Sequence, residues 1–354
     1  MSTSTGSKLM QDLPQQMQVI EVVNPGPDSR LCSAFRPLPT LHSGQLLIKV
    51  TAAGVNRADL MQRRGLYPPQ PGESDILGLE VSGEVVAVAD ASLNHWLEKS
   101  VMALVPGGGY AQYVRVAATH VMPVPKGWCM LQSAATPEVF LTAYQLLFLL
   151  GQLEVGQRVL LHAGASGVGT AAIQLGKARG AEVAVTVGSN EKAHACLALG
   201  ADLAINYRQQ DFAEIISQQW PRGVDLILDP VAGDYLVHNA KLLAMDAKVV
   251  IYALMGGRKT ELDMAPWFKK RAQLLFSTLR NRSDDYKASL VQRLQSDFAA
   301  DFEAGRVQPV LDRVLPWSQV EQAHQLLATN QSIGKVVLDV AGTALDATLT
   351  SGTS

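Results

Sequence analysis

A glycine-rich segment, HAGASGVGT at residues 162–170, has the composition of a turn that binds phosphate. It follows an apolar run typical of a buried strand and precedes small and apolar residues typical of a helix. The glycines permit a tight turn and close approach of the backbone to a pyrophosphate, and a serine stands where the second glycine of such motifs is usual. We therefore predict a dinucleotide site with contacts at Gly164, Ser166, Gly167, Val168 and Gly169.

The end of the next predicted strand, in TVGSNEK, selects between the two nicotinamide dinucleotides. An NAD site carries Asp or Glu here to bind the ribose hydroxyls, whereas this chain has Gly188 and Ser189. Ser189 and Lys192 could instead provide a hydroxyl and a cation for a 2′-phosphate. We expect NADPH as the cofactor, with an ordinary solvated lysine as the alternative interpretation of Lys192.

Glu80 lies inside the apolar run ILGLEVSGEVV, where a carboxylate needs a partner. A zinc site needs three or four Cys, His or carboxylate ligands, but Glu80 is a single carboxylate and the three cysteines are far apart in the sequence. We predict that no metal is bound. We expect Glu80 to pair within its own domain, with Arg57 or Arg64.

Composition narrows the classes of partner. A chain of 354 residues with a formal charge of −2 has room for two cores and lacks the basic excess typical of proteins that bind nucleic acid or anionic membranes. No apolar run is long enough to span a membrane, the N-terminal segment lacks the apolar core of a secretory signal, and the scattered cysteines fit a reducing compartment. We expect a cytoplasmic protein that acts on a small molecule.

Two groups of elements must position these residues. Short β-rich runs broken by glycine and proline fill residues 17–137, and six strands alternate with helices over 138–282. The alternation predicts an α/β fold with a doubly wound parallel sheet. Residues 283–341 do not extend that sheet naturally, so we expect them to rejoin the first domain, with loose tails at 1–16 and 342–354.

Several segments resemble, in order and spacing, the zinc-free quinone oxidoreductases of the medium-chain dehydrogenase/reductase superfamily over nearly the full chain. The segments are AAGVNRADLMQRRGLYPPQPG, ILGLEVSGEVV, EVFLTAYQLLF, HAGASGVGTAAIQLGKARGA, GADLAINYRQQDF, VDLILDPVAG and SIGKVVLDV. The resemblance implies a GroES-like β-rich catalytic domain interrupted by a doubly wound Rossmann domain. It also implies hydride transfer from NADPH to a quinone or activated enone, and a homodimer.

The same resemblance implies further site residues. Tyr67 and Asn56 are expected to line the cleft that holds the nicotinamide, with Tyr67 a candidate proton donor, and Tyr207 is expected beside the 2′-phosphate. The remaining expected cofactor contacts are Thr142, Ala253, Leu254, Met255 and Lys335. Three of these residues also have a purely structural interpretation: Tyr67 packs a loop, Asn56 caps the following helix, and Thr142 bonds within its own helix.

Two other functions stay open on the sequence alone. An enoyl-thioester reductase shares the zinc-free fold and a tyrosine in a similar GxYP context. An NADPH-binding protein with little turnover, like the crystallin-type relatives, would carry the same binding residues.

Overall fold

The structure is a computed structural model in which residues 13–342 are described. These residues form two compact units: one contains the described residues up to Glu138 and from Ser283 onwards, and the other is Val139–Arg282. The tails predicted at 1–16 and 342–354 lie almost entirely outside the described residues.

The elements follow the predicted alternation. The strands are β1 Gln16–Val23, β2 Arg30–Pro37, β3 Gln45–Val55, β4 Glu80–Val88, β5 Ser100–Leu104, β6 Tyr113–Ala117, β7 Val121–Pro123, β8 Arg158–His162, β9 Glu182–Val187, β10 Leu203–Asn206, β11 Val224–Asp229, β12 Leu243–Ile251, β13 Gln273–Phe276, β14 Leu311–Pro316 and β15 Lys335–Asp339. The helices are α1 Arg57–Arg63, α2 Met130–Ala134, α3 Pro137–Tyr144, α4 Gly167–Ala178, α5 Asn190–Ala198, α6 Phe212–Gln219, α7 Tyr235–Ala240, α8 Ala265–Lys270, α9 Asp284–Glu303 and α10 Val320–Ala328. Within residues 13–342, no helix combines the length and hydrophobicity needed to cross a lipid bilayer.

The first unit is built on a seven-stranded sheet of order β14-β15-β3-β4-β5-β7, with β6 also paired to β3. β15 pairs antiparallel with β3, so that Val336 lies opposite Val55, and the chain after Ser283 thereby returns to the N-terminal strands. Alternating apolar residues of β3 and β4, such as Ile48 and Val81, are fully buried in one core. Burying each such side chain contributes about 1.5–3 kcal/mol relative to leaving it exposed.

The second unit contains a parallel sheet of order β10-β9-β8-β11-β12-β13. This order reverses beside β8, as in a doubly wound fold, and the predicted α/β fold class is confirmed. The strands are almost continuous apolar runs because helices cover both faces of such a sheet. Their carboxyl ends lie at one edge, where open α/β sheets bind ligands.

Candidate active site

The glycine-rich segment forms the turn from β8 into α4. Ser166 caps the helix, and its hydroxyl accepts the Gly169 N–H at 3.0 Å. A side chain at Gly169 would collide with the Gly164 carbonyl oxygen, so only glycine permits this close turn. The N–H groups of Gly167 and Val168 donate to no acceptor within the described residues. They leave two donors at the N-terminus of a 12-residue helix, which is the arrangement that binds phosphate.

The ends of β9 and β10 provide a second polar group. Ser189 caps α5, with its hydroxyl accepting the Lys192 N–H at 3.2 Å. A Cβ atom at Gly188 would lie 2.9 Å from Tyr207 Oη and 3.7 Å from Arg208 Nε. Glycine therefore lets Tyr207 and Arg208 lie against the end of β9. Arg208 was not predicted from the sequence, although the adjacent Tyr207 in NYR gave a usable signal.

The segment after β12 is tied to the segment after β11. Met255 N–H donates to the Pro230 carbonyl at 3.1 Å, and Gly256 N–H donates to the Val231 carbonyl at 2.7 Å. Ala253 is partly buried, whereas Leu254 and Met255 are about half exposed. The structure thus presents two apolar side chains in a loop fixed at the carboxyl edge of the sheet. The remaining predicted contact of this unit, Thr142, is partly exposed on α3.

A buried polar cluster lies beneath the glycine-rich turn. Asn239 Nδ2 donates to Asp229 Oδ2 at 2.9 Å, which orients the amide so that Asn239 Oδ1 accepts from His162 Nε2 at 2.8 Å. His162 Nδ1 then accepts from the Thr186 hydroxyl at 2.9 Å. Burial lowers the pKa of His162, in agreement with this neutral tautomer. The cluster joins the ends of β8 and β11, and no pattern in the sequence predicted it.

A charged cluster lies at one end of the sheet of the first unit. Glu80 begins β4, Lys335 begins β15 and Asn56 directly follows β3, and because both flanking strands are antiparallel to β3 these residues meet. Lys335 Nζ lies 2.7 Å from Glu80 Oε1, 2.6 Å from Asn56 Oδ1 and 2.8 Å from the Val55 carbonyl oxygen. Asn56 Nδ2 donates to Glu80 Oε1 at 2.9 Å. A side chain at Gly54 would collide with the Glu80 carboxylate, so this glycine is needed for the pairing.

The prediction that Glu80 pairs with Arg57 or Arg64 is wrong. Glu80 is fully buried and pairs with Lys335, whereas Arg57 donates to the Leu327 carbonyl and to Asn330 Oδ1. Three acceptors engage the three donor hydrogens of the Lys335 ammonium. These bonds hold the ammonium group against Asn56, and the contact of Lys335 with the cofactor stays a prediction.

Asp59 extends this cluster inwards. Its carboxylate accepts the N–H groups of Asn56 and Gly78 at 2.8 and 3.0 Å and the Tyr110 hydroxyl at 3.1 Å. Burial raises the pKa of Asp59 to about 6 and that of Tyr110 well above its usual value. His324 Nε2 lies 3.1 Å from Tyr110 Oη, and burial lowers the pKa of His324 to about 3. Asn56 is thus the cap residue of α1 as well as a partner of Glu80.

Tyr67 lies in the loop after α1 and is partly exposed. Within the first unit, the structure brings Asn56 and Lys335 together among the residues predicted from the sequence. In the second unit it brings Gly188 and Tyr207 together. The cleft roles of Tyr67 and Thr142 stay predictions.

The residues near Glu80 do not fit a zinc site. Leu79, which stands between Gly78 and Glu80, is an apolar residue with 2% exposure, and the Glu80 carboxylate is bound by Lys335. Among residues 13–342, no three His, Cys, Asp or Glu side chains are grouped so as to hold a metal ion. Leu79 supplies no ligand and the Glu80 carboxylate is already paired, so this position lacks the three or four ligands that zinc needs.

Two family models match the chain: the alcohol dehydrogenase GroES-like domain at residues 42–126, and the zinc-binding dehydrogenase at residues 199–338. The synaptic vesicle membrane protein VAT-1 homolog of Rattus norvegicus is 31% identical over 314 residues, which cover 85% of this chain and 78% of that protein. Human quinone oxidoreductase is 29% identical over 343 residues, covering 95% of this chain and 99% of that protein. The chain belongs to the medium-chain dehydrogenase/reductase family, of the quinone oxidoreductase type.

The chain covers only 65% of the Danio rerio VAT-1 homolog, which is 30% identical to it. Among solved structures, human VAT-1 homolog-like protein is 26% identical with a TM-score of 0.78, and the alignment covers 93% of this chain and 99% of that one. A mycobacterial protein complexed with NADPH and the CurK enoyl reductase are each 24% identical, with TM-scores of 0.81 and 0.78; the alignments cover 92% of this chain and 100% and 99% of those chains, respectively. These two share the fold. This medium-chain dehydrogenase/reductase is an oxidoreductase with a GroES-like domain and a Rossmann-type sheet.

Proposed function

We propose that this oxidoreductase uses NADPH to reduce a quinone or an activated enone without a metal ion. The observation that carries the proposal is the carboxylate-free end of β9, where Gly188 leaves room for Tyr207 and Arg208. An acid at this strand end would bind the ribose hydroxyls of NADH and repel the 2′-phosphate of NADPH. A hydroxyl and a cation instead favour a phosphate.

The chain's own groups fit this cofactor. We assign the pyrophosphate to the free N–H groups of Gly167 and Val168, and the 2′-phosphate to Ser189, Lys192 and Tyr207 with Arg208. Thr142 and the loop at 253–255 are assigned to the nicotinamide. When bound, NADPH supplies a hydride from its nicotinamide ring.

The poor fit of zinc at Glu80 limits the substrate class. Without a Lewis acid to polarise an alcohol or a carbonyl, the favoured substrate accepts hydride readily by itself, as quinones and activated enones do. The protein then contributes proximity and orientation, which can lower the barrier by several kcal/mol. We assign the first unit to the catalytic domain and the second to the NADP(H)-binding domain, with Tyr67 and Asn56 on the substrate side.

Gly188 variants test the cofactor assignment. Gly188→Asp adds a carboxylate beside the proposed phosphate group, and Gly188→Ala is the matched control because it introduces the same contact with Tyr207 without charge. Titration of the protein with NADPH and NADH should show that the aspartate variant loses NADPH affinity by at least tenfold more than the alanine variant. Equal losses in the two variants, or a wild type that binds NADH more tightly, would contradict the assignment.

A screen of acceptors tests the reaction. NADPH oxidation is measured with small quinones, enones and enoyl thioesters at equal concentrations. Turnover with quinones or enones supports the proposal, turnover only with enoyl thioesters indicates the reductase alternative, and binding without acceptor-dependent oxidation indicates a protein with little turnover.

We also propose a homodimer in the cytoplasm. β13 is an edge strand of its sheet, and the apolar side chains of Phe276 at its end and Phe268 in α8 are 65% and 85% exposed. Pairing of two such edges across a two-fold axis would cover this surface. Light scattering should give twice the chain mass, and a monomer at micromolar concentration would contradict the dimer.

A further inference from the structure

Glu138 lies in the first turn of α3, directly beside the charged cluster. Its backbone N–H donates to Glu80 Oε2 at 3.0 Å, while its side chain is partly exposed. Within the described residues, no hydrogen bond ties its carboxyl group to a neighbour. The carboxyl group is therefore held close to a buried ion pair and is still free to bond to another molecule.

The charges around Glu138 favour its protonated form. The Glu80 and Asp59 carboxylates oppose its ionisation, whereas the Lys335 and Lys287 ammonium groups favour it. Because Lys335 is already bonded to Glu80, its charge is largely balanced. Burial, followed by the effect of Glu80, raises the pKa of Glu138 to about 8. Glu138 thus carries a proton at neutral pH.

The other titratable groups of the cluster are poor proton donors. Asp59 is fully buried and already accepts three hydrogen bonds. The pKa of Tyr110 is raised well above 10, and the lowered pKa of His324 leaves that ring neutral. Of these groups, Glu138 alone combines a proton at neutral pH with partial exposure.

We propose that Glu138 donates the proton that completes reduction of the acceptor, a role that rests on the function proposed above. Addition of hydride to a quinone forms one bond to hydrogen and leaves an oxyanion. The O–H bond of Glu138 breaks, its proton bonds to the oxyanion, and the electron pair stays on the Glu138 carboxylate until solvent returns a proton. Quinone, hydride and one proton together give the hydroquinone.

The position of Glu138 supports this role. The Glu80 carboxylate that accepts the Glu138 N–H also accepts Asn56 Nδ2 at 2.9 Å. Asn56 is assigned above to the substrate side. Glu138 is therefore held beside a residue on that side by the same carboxylate.

Kinetics of Glu138→Gln test the donor. With saturating NADPH and a quinone, kcat should fall by about 100-fold while the KM for NADPH changes little. The wild-type rate should fall as pH rises through about 8, and the variant should lose that limb. Glu138→Asp should restore part of the rate, and Glu154→Gln, at an exposed turn, is the matched control that should leave the rate unchanged.

Infrared spectroscopy of the cofactor-free protein gives a readout independent of turnover. A protonated carboxyl band should disappear as pH rises through about 8 and should be missing in Glu138→Gln. A wild type without this band, or an active wild type whose Glu138→Gln variant keeps its rate and pH profile, overturns the donor role alone. A wild type that shows the band and binds NADPH but reduces no acceptor overturns the proposed function, and the donor role with it.

Discussion

The two units each bury a polar cluster, and the clusters differ in what can titrate. In the second unit, Asp229 accepts the N–H groups of Val231 and Ala232 and orients His162 through Asn239. Each donor in this series of hydrogen bonds has one acceptor, so each of these protons has one fixed position. In the first unit, by contrast, a buried ion pair lies near carboxyl groups whose pKa values are raised towards neutrality.

The difference indicates a structural role for the cluster of the second unit and a chemical role for that of the first. A cluster with a fixed histidine, whose pKa is lowered by burial, holds the turn before α4 in place and keeps that histidine neutral at neutral pH. A cluster with one cation and several carboxyl groups is costly to bury, and such groups concentrate at functional sites. We infer that the second unit binds the cofactor and that the first unit supplies the proton for the reaction.

Loss of the buried cation should have the largest effect. Lys335→Met leaves the fully buried Glu80 carboxylate without its ammonium partner, which should lower the free energy of unfolding by about 3–5 kcal/mol. Lys177→Met is the control, because its pair with Asp202 is about one-third exposed and should contribute no more than about 1 kcal/mol. Urea unfolding measures the free energy of unfolding of both variants. Equal losses would show that the buried Lys335–Glu80 pair stabilises the protein no more than an exposed pair does.

The pH dependence of stability should have opposite signs at Asp59 and His162. The raised pKa of Asp59 provides stability that is complete below about pH 4 and is lost as pH rises through about 6, by at most about 3 kcal/mol. The lowered pKa of His162 provides stability that is present above about pH 6.5 and is lost as pH falls.

Single variants separate these two slopes, since His324 adds an acid-side loss of the same sign as His162. Unfolding curves at several pH values should show that Asp59→Asn flattens the loss between pH 4 and 6, whereas His162→Gln flattens the loss on the acid side. Slopes that do not change in these variants would show that neither pKa is shifted as described.

A smaller effect is expected from Asp229→Asn. The amide would place an N–H group opposite donors from Asn239 or the backbone, which should lower the free energy of unfolding by about 1–3 kcal/mol. The loss should be the same at pH 6 and pH 8, because it comes from hydrogen bonds that the amide can no longer accept. A loss that grows between these pH values would show that the stability contributed by this cluster also depends on pH, as in the first unit.

Strands and turns that depend on local patterns were predicted from the sequence, whereas contacts between residues far apart in the sequence were not. The six strands and the turn at 162–170 follow from apolar runs and glycines close together in the chain. The bond from Lys335 to Asn56, by contrast, joins residues 279 positions apart through the order β15-β3-β4, which no local pattern reveals. Arg57 was the wrong partner for Glu80 because its side chain turns to the end of α10.

Metal-free reduction of quinones by NADPH is best tested by measuring quinone-dependent NADPH oxidation with protein that has been treated with a strong chelator and shown to be free of metal. We expect the same turnover before and after this treatment, with NADPH clearly preferred to NADH. Activity that disappears with the metal and returns with zinc would contradict it, as would NADPH oxidation that no quinone or enone accelerates.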